Sequence, residues 1–247
     1  SQLTKKIVIN NFREKDLMNG GQGAPLAPIF HKLISNKVAQ KEKNNIPINF
    51  INIGGITNLT HTTKTNLYAY DIGPGNCLID EWIRKNSKKK FDVNGDIASA
   101  GKVDDLILNQ AIDNFRIKSF DKSLDIKDFD LSFVRGLTLE DGSATLTNFS
   151  AYLISKGIEY LIEKTKTLNG IYLVCGGGRK NNQLIKNINE YVFDKKIELK
   201  NIDNYGFNAT SSISSKEGKL DVVNDDRGVA DDDTSRTFVT VADGGVI

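Results

Sequence analysis

The amino-acid sequence predicts an α/β fold, with a mixed β-sheet and helices on both of its faces. Three β-prone runs follow one another closely between residues 48 and 70. A further apolar run at residues 171–175 comes after residues 145–164, where apolar side chains recur with helical spacing. Strands separated by amphipathic helices are typical of domains in which helices pack on both faces of a sheet.

The individual elements follow from the spacing of apolar residues, which differs between strands and helices. Strands are predicted at residues 7–12, 48–53, 56–60, 66–70, 171–175 and 197–202. Helices are predicted at residues 28–38, 75–86, 103–115, 145–164 and 181–192. Loops are predicted where polar residues, glycine or proline are concentrated, at residues 19–25, 41–47, 92–100 and 122–130.

Composition excludes several classes of protein. A hydrophobic content of 39% and a charged content of 26% describe a soluble globular chain with enough apolar residues for a core. The net charge of +2 and a lysine run at residues 88–90 without interleaved aromatic residues do not indicate nucleic-acid binding. No apolar stretch reaches membrane-spanning length. Cys77 and Cys175 lack metal-type spacing, so we expect a reducing, cytoplasmic environment and no metal ligands.

Three glycine-rich turns each follow a predicted strand. Backbone amides at such turns can bind phosphate, and Gly54 and Gly55 can adopt positive φ and admit a ligand close to the backbone. Neither a GxGxxG fingerprint nor a Walker A loop is present. The turns together favour an actin-like or hexokinase-like ATPase, that is, an RNase H-like domain. The predicted nucleotide- or phosphate-binding residues are Asn52, Gly54, Gly55, Asn58, Gly73, Gly75, Asn76, Gly176, Gly177 and Gly178.

Asp71 ends the third β-prone run, two residues before a glycine turn. A carboxylate there can act as a catalytic base or can merely cap the turn. Similarly, Asn52 and Asn58 can bind phosphate or hydrogen-bond within their own hairpin. His31 can cap its helix or bind substrate. The two cysteines are most simply interpreted as small buried side chains.

An ordered set of motifs resembles the anhydro-N-acetylmuramic acid kinase family over roughly residues 9–208. The motifs are NFREKD, GGQGAPLAPIFH, NIGGITNLT, YDIGPGNCLID, DVNGDIASAGKVD, DKS, EDGSATLT and CGGGRKNNQLI. The resemblance implies a cytoplasmic, ATP-dependent sugar kinase of cell-wall recycling with the actin-like fold. Such enzymes add water across the 1,6-anhydro bridge of an amino sugar and phosphorylate its 6-oxygen.

The resemblance also implies roles for individual residues. Asp71 would be the base that activates the attacking water, and ATP with Mg²⁺ would supply the phosphoryl group. The GGQGAPL loop would lie near the cleft between domains. The residues implied near substrate are Arg13, Asp16, Gln22, Gly23 and His31. A homodimer is a further expectation.

The family resemblance and a change in composition divide the chain into three segments. Residues 1–40 are predicted to end a first half-domain, and residues 41–208 to form the second actin-like domain. Residues 209–247 lose the earlier abundance of Asn and Ile and gain Asp, Ser and Thr. We therefore predict an acidic, irregular tail there.

The sequence departs from the family pattern at two places. It contains no phosphate loop of the GTSxDG kind, and the family's Glu-Ala pair that opens a late helix is absent. We therefore expect little or no turnover from this chain by itself. Three alternatives remain: another actin-fold sugar or acyl-phosphate kinase, an inactive nucleotide- or sugar-binding remnant, and a purely structural domain.

Overall fold

A computed structural model describes residues 14–21, 27–43, 46–115, 120, 123–207, 212–215, 218–223 and 238–241. The chain divides into two compact units, residues 25–205 and a second unit of residues 1–24 with 206–247. The predicted division of the chain at residue 40 stays a prediction. The helix starting at Ala27 contacts the sheet of residues 25–205.

Most predicted elements are present, with shifted ends. The helices are α1 Glu14–Met18, α2 Ala27–Glu42, α3 Cys77–Asn86, α4 Asp96–Ala100, α5 Asp105–Asn114, α6 Leu139–Thr165 and α7 Asn182–Val192. The strands are β1 Ile48–Ile53, β2 Ile56–Thr62, β3 Leu67–Pro74, β4 Ile171–Cys175, β5 Leu199–Asn201, β6 Ser212–Ser215, β7 Gly218–Val223 and β8 Phe238–Val241. The strand predicted at residues 7–12 lies outside the described residues.

Five strands form a mixed sheet in the order β3-β2-β1-β4-β5. β1, β2 and β3 are joined as an antiparallel meander, whereas β4 and β5 run parallel to β1. The connection from β3 to β4 contains α3 to α6, and α7 connects β4 to β5. The carboxyl ends of β1, β3 and β4 therefore lie at the same edge of the sheet.

Helices cover both faces of this sheet, as predicted. Ile51 and Ile53 point to one face, where they join a buried cluster with Ile154 and Ile158 of α6. Phe50 points to the other face, where the ring of His31 on α2 stacks on it at 4.5 Å between centroids. Side chains that alternate along β1 thus contribute to two separate apolar layers, one on each face of the sheet.

Side-chain caps explain two differences from the sequence prediction. α6 begins at Leu139, earlier than predicted, because the Thr138 hydroxyl accepts a hydrogen bond from the Asp141 amide. α4 lies within the predicted loop at residues 92–100. The buried carboxylate of Asp92 accepts hydrogen bonds of 2.9 Å from the amides of Ile97 and Ala98, which stabilises this short helix.

The second unit contains α1 and a three-stranded antiparallel sheet in the order β6-β7-β8. The prediction of an irregular tail over residues 209–247 missed these strands. That prediction rested on the acidic composition of the segment. Valine and threonine, which are also frequent there, favour strands. The rest of that segment lies outside the described residues.

Tyr70 on β3 offers a test of how the sheet is joined to α6. Its buried hydroxyl donates a hydrogen bond of 3.0 Å to the carbonyl oxygen of Gly157. Tyr70→Phe should lower the free energy of unfolding by about 1 kcal/mol, because one buried hydrogen bond is lost. Urea denaturation measures this change. Tyr68→Phe, at a tyrosine that is 39% exposed, is the control and should change stability by less than about 0.5 kcal/mol.

Candidate active site

The glycine turns that are far apart in sequence meet at one edge of the five-stranded sheet. The amide of Gly75 donates a hydrogen bond of 2.8 Å to the carbonyl of Gly55. The amide of Asn76 donates one of 2.8 Å to the carbonyl of Gly54. These two amides therefore join the β1–β2 turn to the β3–α3 turn, which makes the edge a connected structure.

Gly176 brings the third turn to the same place. Its φ is +76°, and a Cβ added there would lie 2.5 Å from the carbonyl oxygen of Ile53 at the end of β1. Only glycine satisfies both conditions without strain. Gly54 and Gly55, which can adopt positive φ, do not do so here, whereas Gly176 does.

Polar side chains lie on one face of the sheet at this edge. Asn52 is opposite Asn58 on β2 and Cys175 on β4, and Asn58 is opposite Asp71 on β3. Residues directly opposite one another share a face, so these side chains form a row across four strands. The Oδ1 atom of Asn58 is buried, and no described residue donates a hydrogen bond to it. Such an orphaned acceptor suits a bound ligand.

Asp71 has the properties required of a base. Its side chain is 8% exposed, and Oδ2 accepts a hydrogen bond of 2.9 Å from the amide of Leu124. Burial raises the pKa of this carboxyl above its ordinary value, and the Leu124 bond opposes that rise in pKa. A carboxylate with a raised pKa accepts a proton more readily than an exposed aspartate does.

His31 is buried rather than open to solvent, with 5% of its surface exposed. Its Nδ1 lies 2.9 Å from the Thr60 hydroxyl, and its Nε2 lies 3.9 Å from the Cys175 sulfur. The same sulfur lies 3.7 Å from Oδ1 of Asn52. His31 thus contacts the row of polar residues through Cys175. Its predicted substrate contact stays a prediction.

Burial lowers the pKa of His31 from 6.5 to about 4, which predicts a pH effect on stability. Between these values the unfolded chain binds a proton at His31 and the folded chain does not, so the free energy of unfolding should fall as pH falls. His31→Gln should lose this part of the pH dependence. Urea denaturation at pH 7 and pH 4.5 tests it. An unchanged pH dependence in the variant would contradict the assignment.

Arg179 is a residue that the sequence prediction missed. Its buried guanidinium donates through Nη1 to the carbonyl of Gly176 at 2.8 Å. Its Nε lies 3.1 Å from both carboxylate oxygens of Asp203. Arg179 therefore holds the Gly176 turn in place. The sequence feature that could have identified Arg179 is its position directly after three consecutive glycines.

Of the remaining residues predicted near substrate, Asp16 is the one that the structure describes. Asp16 is exposed on α1, in the second unit, and its carbonyl accepts a hydrogen bond of 2.8 Å from the amide of Gly21. Arg13, Gln22 and Gly23 lie outside the described residues. Their predicted contacts with substrate therefore stay predictions.

Neither a membrane-spanning helix nor a metal-binding cluster occurs among the described residues. No described helix is both long and apolar enough to cross a membrane. Within the same part of the chain, no group of three or more His, Cys, Asp or Glu residues could hold a metal ion.

Comparison with known proteins identifies the fold and the family. The family described as anhydro-N-acetylmuramic acid kinase matches residues 1–214. That family consists of actin-like sugar kinases, which confirms the predicted fold class. Because kinases transfer a phosphoryl group from a nucleoside triphosphate, the family also implies nucleotide use.

Curated relatives with the same name agree with this match. The protein of Pelagibacter ubique is 50% identical over 210 residues, covering 83% of this chain and 55% of the relative. That of Zymomonas mobilis is 33% identical and covers 86% of this chain and 55% of the relative. That of Brucella canis is 36% identical and covers 81% of this chain and 52% of the relative. The chain spans about half the length of these relatives. It belongs to the anhydro-N-acetylmuramic acid kinase family.

Proposed function

We propose that this chain forms the nucleotide-binding and water-activating part of a kinase for 1,6-anhydro-N-acetylmuramic acid. The observation that carries the proposal is the position of Asp71. Its carboxylate is buried beside Asn58 at the edge where three glycine turns meet. The names of the relatives supply the substrate, an amino sugar with an anhydro bridge.

Asp71 would start the reaction by taking a proton from water. The water oxygen then bonds to the anomeric carbon while the bond from that carbon to the bridging 6-oxygen breaks. The freed 6-oxygen attacks the γ-phosphorus of ATP, and ADP leaves. Holding these groups in place supplies much of the rate enhancement in phosphoryl transfer.

The glycine turns would position the nucleotide in two ways. Gly75 and Asn76 use their amides within the protein, so they shape the edge. Gly73 pairs with Thr57 of β2 and so belongs to the same edge. Gly54, Gly55 and the turn at residues 176–178 would bring the backbone close to the phosphates. Asn52 and Asn58 would contribute side-chain groups to the same ligand.

Mg²⁺ belongs to the proposal as a companion of ATP. Magnesium is bound by oxygen atoms, usually one or two protein groups together with substrate phosphates and waters. Oδ1 of Asn58, to which no described residue donates a hydrogen bond, lies beside a carboxylate and fits this small set of protein ligands. When bound, the ion would neutralise phosphate charge.

The proposal is tested by ADP release with ATP, Mg²⁺ and the anhydro sugar. The chain itself is compared with a chimera in which its matching part replaces the 210 matching residues of the Pelagibacter ubique relative. We expect turnover from the chimera and little from the chain alone. An inactive but folded chimera would overturn the proposal, and binding without ADP release would indicate a nucleotide- or sugar-binding remnant.

The pH dependence of the chimera gives a second test. Asp71 must be ionised to act as a base, and its burial raises its pKa. The fall in kcat on the acid side should therefore occur at higher pH than the ordinary aspartate value would give. A pH profile of kcat measures this limb. A limb at or below the ordinary value would contradict the role of Asp71.

Self-association is the remaining part of the proposal. Ile29 and Leu33, four residues apart on α2, are 70% and 59% exposed. An exposed apolar pair of this kind favours contact with another surface. Sedimentation velocity of the chimera tests the homodimer, with Leu33→Glu expected to weaken it.

A further inference from the structure

The segment at residues 123–128 contacts the candidate site although none of its residues was predicted to belong there. It approaches Asp71 from a position 53 residues further along the chain. The amide of Leu124 donates a hydrogen bond of 2.9 Å to Oδ2 of Asp71. One carboxylate oxygen is thereby held by the backbone. A bond of this kind fixes the direction in which the other oxygen can accept a proton.

Hydrogen bonds within the segment stabilise its backbone. Residues 126–128 form a 3₁₀ turn with reciprocal caps at its start. The Asp125 carboxylate accepts a hydrogen bond of 3.0 Å from the amide of Lys127. The Asp128 carboxylate accepts one of 2.7 Å from the amide of Asp125. These bonds restrict the backbone directly after Leu124.

Ile126 holds the segment against the β1–β2 turn. A Cβ added to Gly55 would lie 3.5 Å from Cδ1 of Ile126, so this side chain lies beside the glycine. Ile126 is nevertheless 52% exposed. The segment therefore contacts the site at two points, the Asp71 carboxylate and the Gly55 backbone.

We propose that residues 123–128 are a positioning element for the catalytic base: Leu124 orients the Asp71 carboxylate, and Ile126 anchors the segment on the Gly55 turn. The inference rests on the proposed function, since it assigns a task in that reaction. It adds two positioning residues outside every glycine motif. Neither residue takes part in the chemistry itself.

The first experiment measures the Leu124 contact without requiring turnover. The Asp71 carboxyl is titrated by carbon-detected NMR in the folded chain, in Leu124→Pro and in Leu124→Ala. Proline removes the donor, whereas alanine keeps it. Because the bond favours the charged form, the Asp71 midpoint should rise in the proline variant and stay unchanged in the alanine variant. Equal midpoints in the two variants would overturn the proposal.

The causes of the shifted pKa of Asp71 are burial and the Leu124 bond, and no charged side chain of a described residue contributes. The titratable groups on the neighbouring elements include Cys175 on β4, His31 on α2, and Asp125, Lys127 and Asp128 on the segment. All of them are retained in both variants. Their effects on the midpoint therefore cancel in the comparison.

The second experiment tests the anchor and keeps the proposal falsifiable if Leu124→Pro does not fold. In the active chimera, Ile126→Ala should lower kcat by about tenfold with little change in the KM for ATP. Ile126→Leu, which restores an apolar contact, should recover most of the rate. Leu106→Ala, at a leucine of α5 that is 85% exposed, is the matched control and should change nothing. A kcat unchanged in Ile126→Ala would overturn the anchor.

The two proposals fail in different ways. A folded parent chimera without turnover overturns the proposed function, while the titration still decides whether Leu124 holds Asp71. An active parent whose Leu124 and Ile126 variants match their controls overturns the positioning element alone. A raised midpoint together with a lowered kcat supports both.

Discussion

Asp71→Asn should lower the kcat of the chimera by about 10²- to 10⁴-fold, the usual contribution of a general base. Asparagine keeps nearly the same shape and can still accept the hydrogen bond from Leu124, so the site should stay folded. It cannot take a proton from water at any accessible pH. Coupled ADP release at saturating ATP and sugar measures the loss.

Nucleotide binding separates this effect from damage to the site. Asp71→Asn should bind ATP about as tightly as the parent, because the phosphate contacts are assigned to the glycine turns. Asp194→Asn, an exposed aspartate beyond α7, is the matched control and should keep full turnover. A kcat for Asp71→Asn equal to that of the control would remove Asp71 from the mechanism.

Gly176→Ala should lower the free energy of unfolding by about 3 kcal/mol or more, since two costs coincide at this position. Alanine is strained at a φ of +76°, and its Cβ would lie 2.5 Å from the carbonyl oxygen of Ile53. Relief of that contact would separate β4 from β1 where the glycine turns meet. Urea denaturation of the chain measures the loss without any need for activity.

Gly136 provides the control for the backbone cost alone. Its φ is +91°, and nothing lies within 4 Å of an added Cβ. Gly136→Ala should therefore lower the free energy of unfolding by only about 1–2 kcal/mol. The excess loss at Gly176 measures the crowding against Ile53. Equal losses at the two glycines would show that the close approach is not tight.

The sequence by itself determined the elements whose signal is local. β1 at Ile48–Ile53 and β4 at Ile171–Cys175 have the predicted bounds, because each is an apolar run that ends at a glycine turn. α7 begins within one residue of the prediction, since the Asn181 side chain caps it by accepting from the amide of Leu184. The family motifs lie in these same local stretches, which is why the family could be predicted.

Only the tertiary structure decided which groups meet. Asp71 and Leu124 are joined by a backbone amide, and an amide leaves no trace in the side-chain pattern. The positive φ belongs to Gly176 rather than to Gly54 or Gly55, because the crowding comes from Ile53, 123 positions earlier. Local spacing sets helices and strands, whereas the site depends on contacts between distant segments. Those contacts are decided by how the strands align and which faces the helices bury.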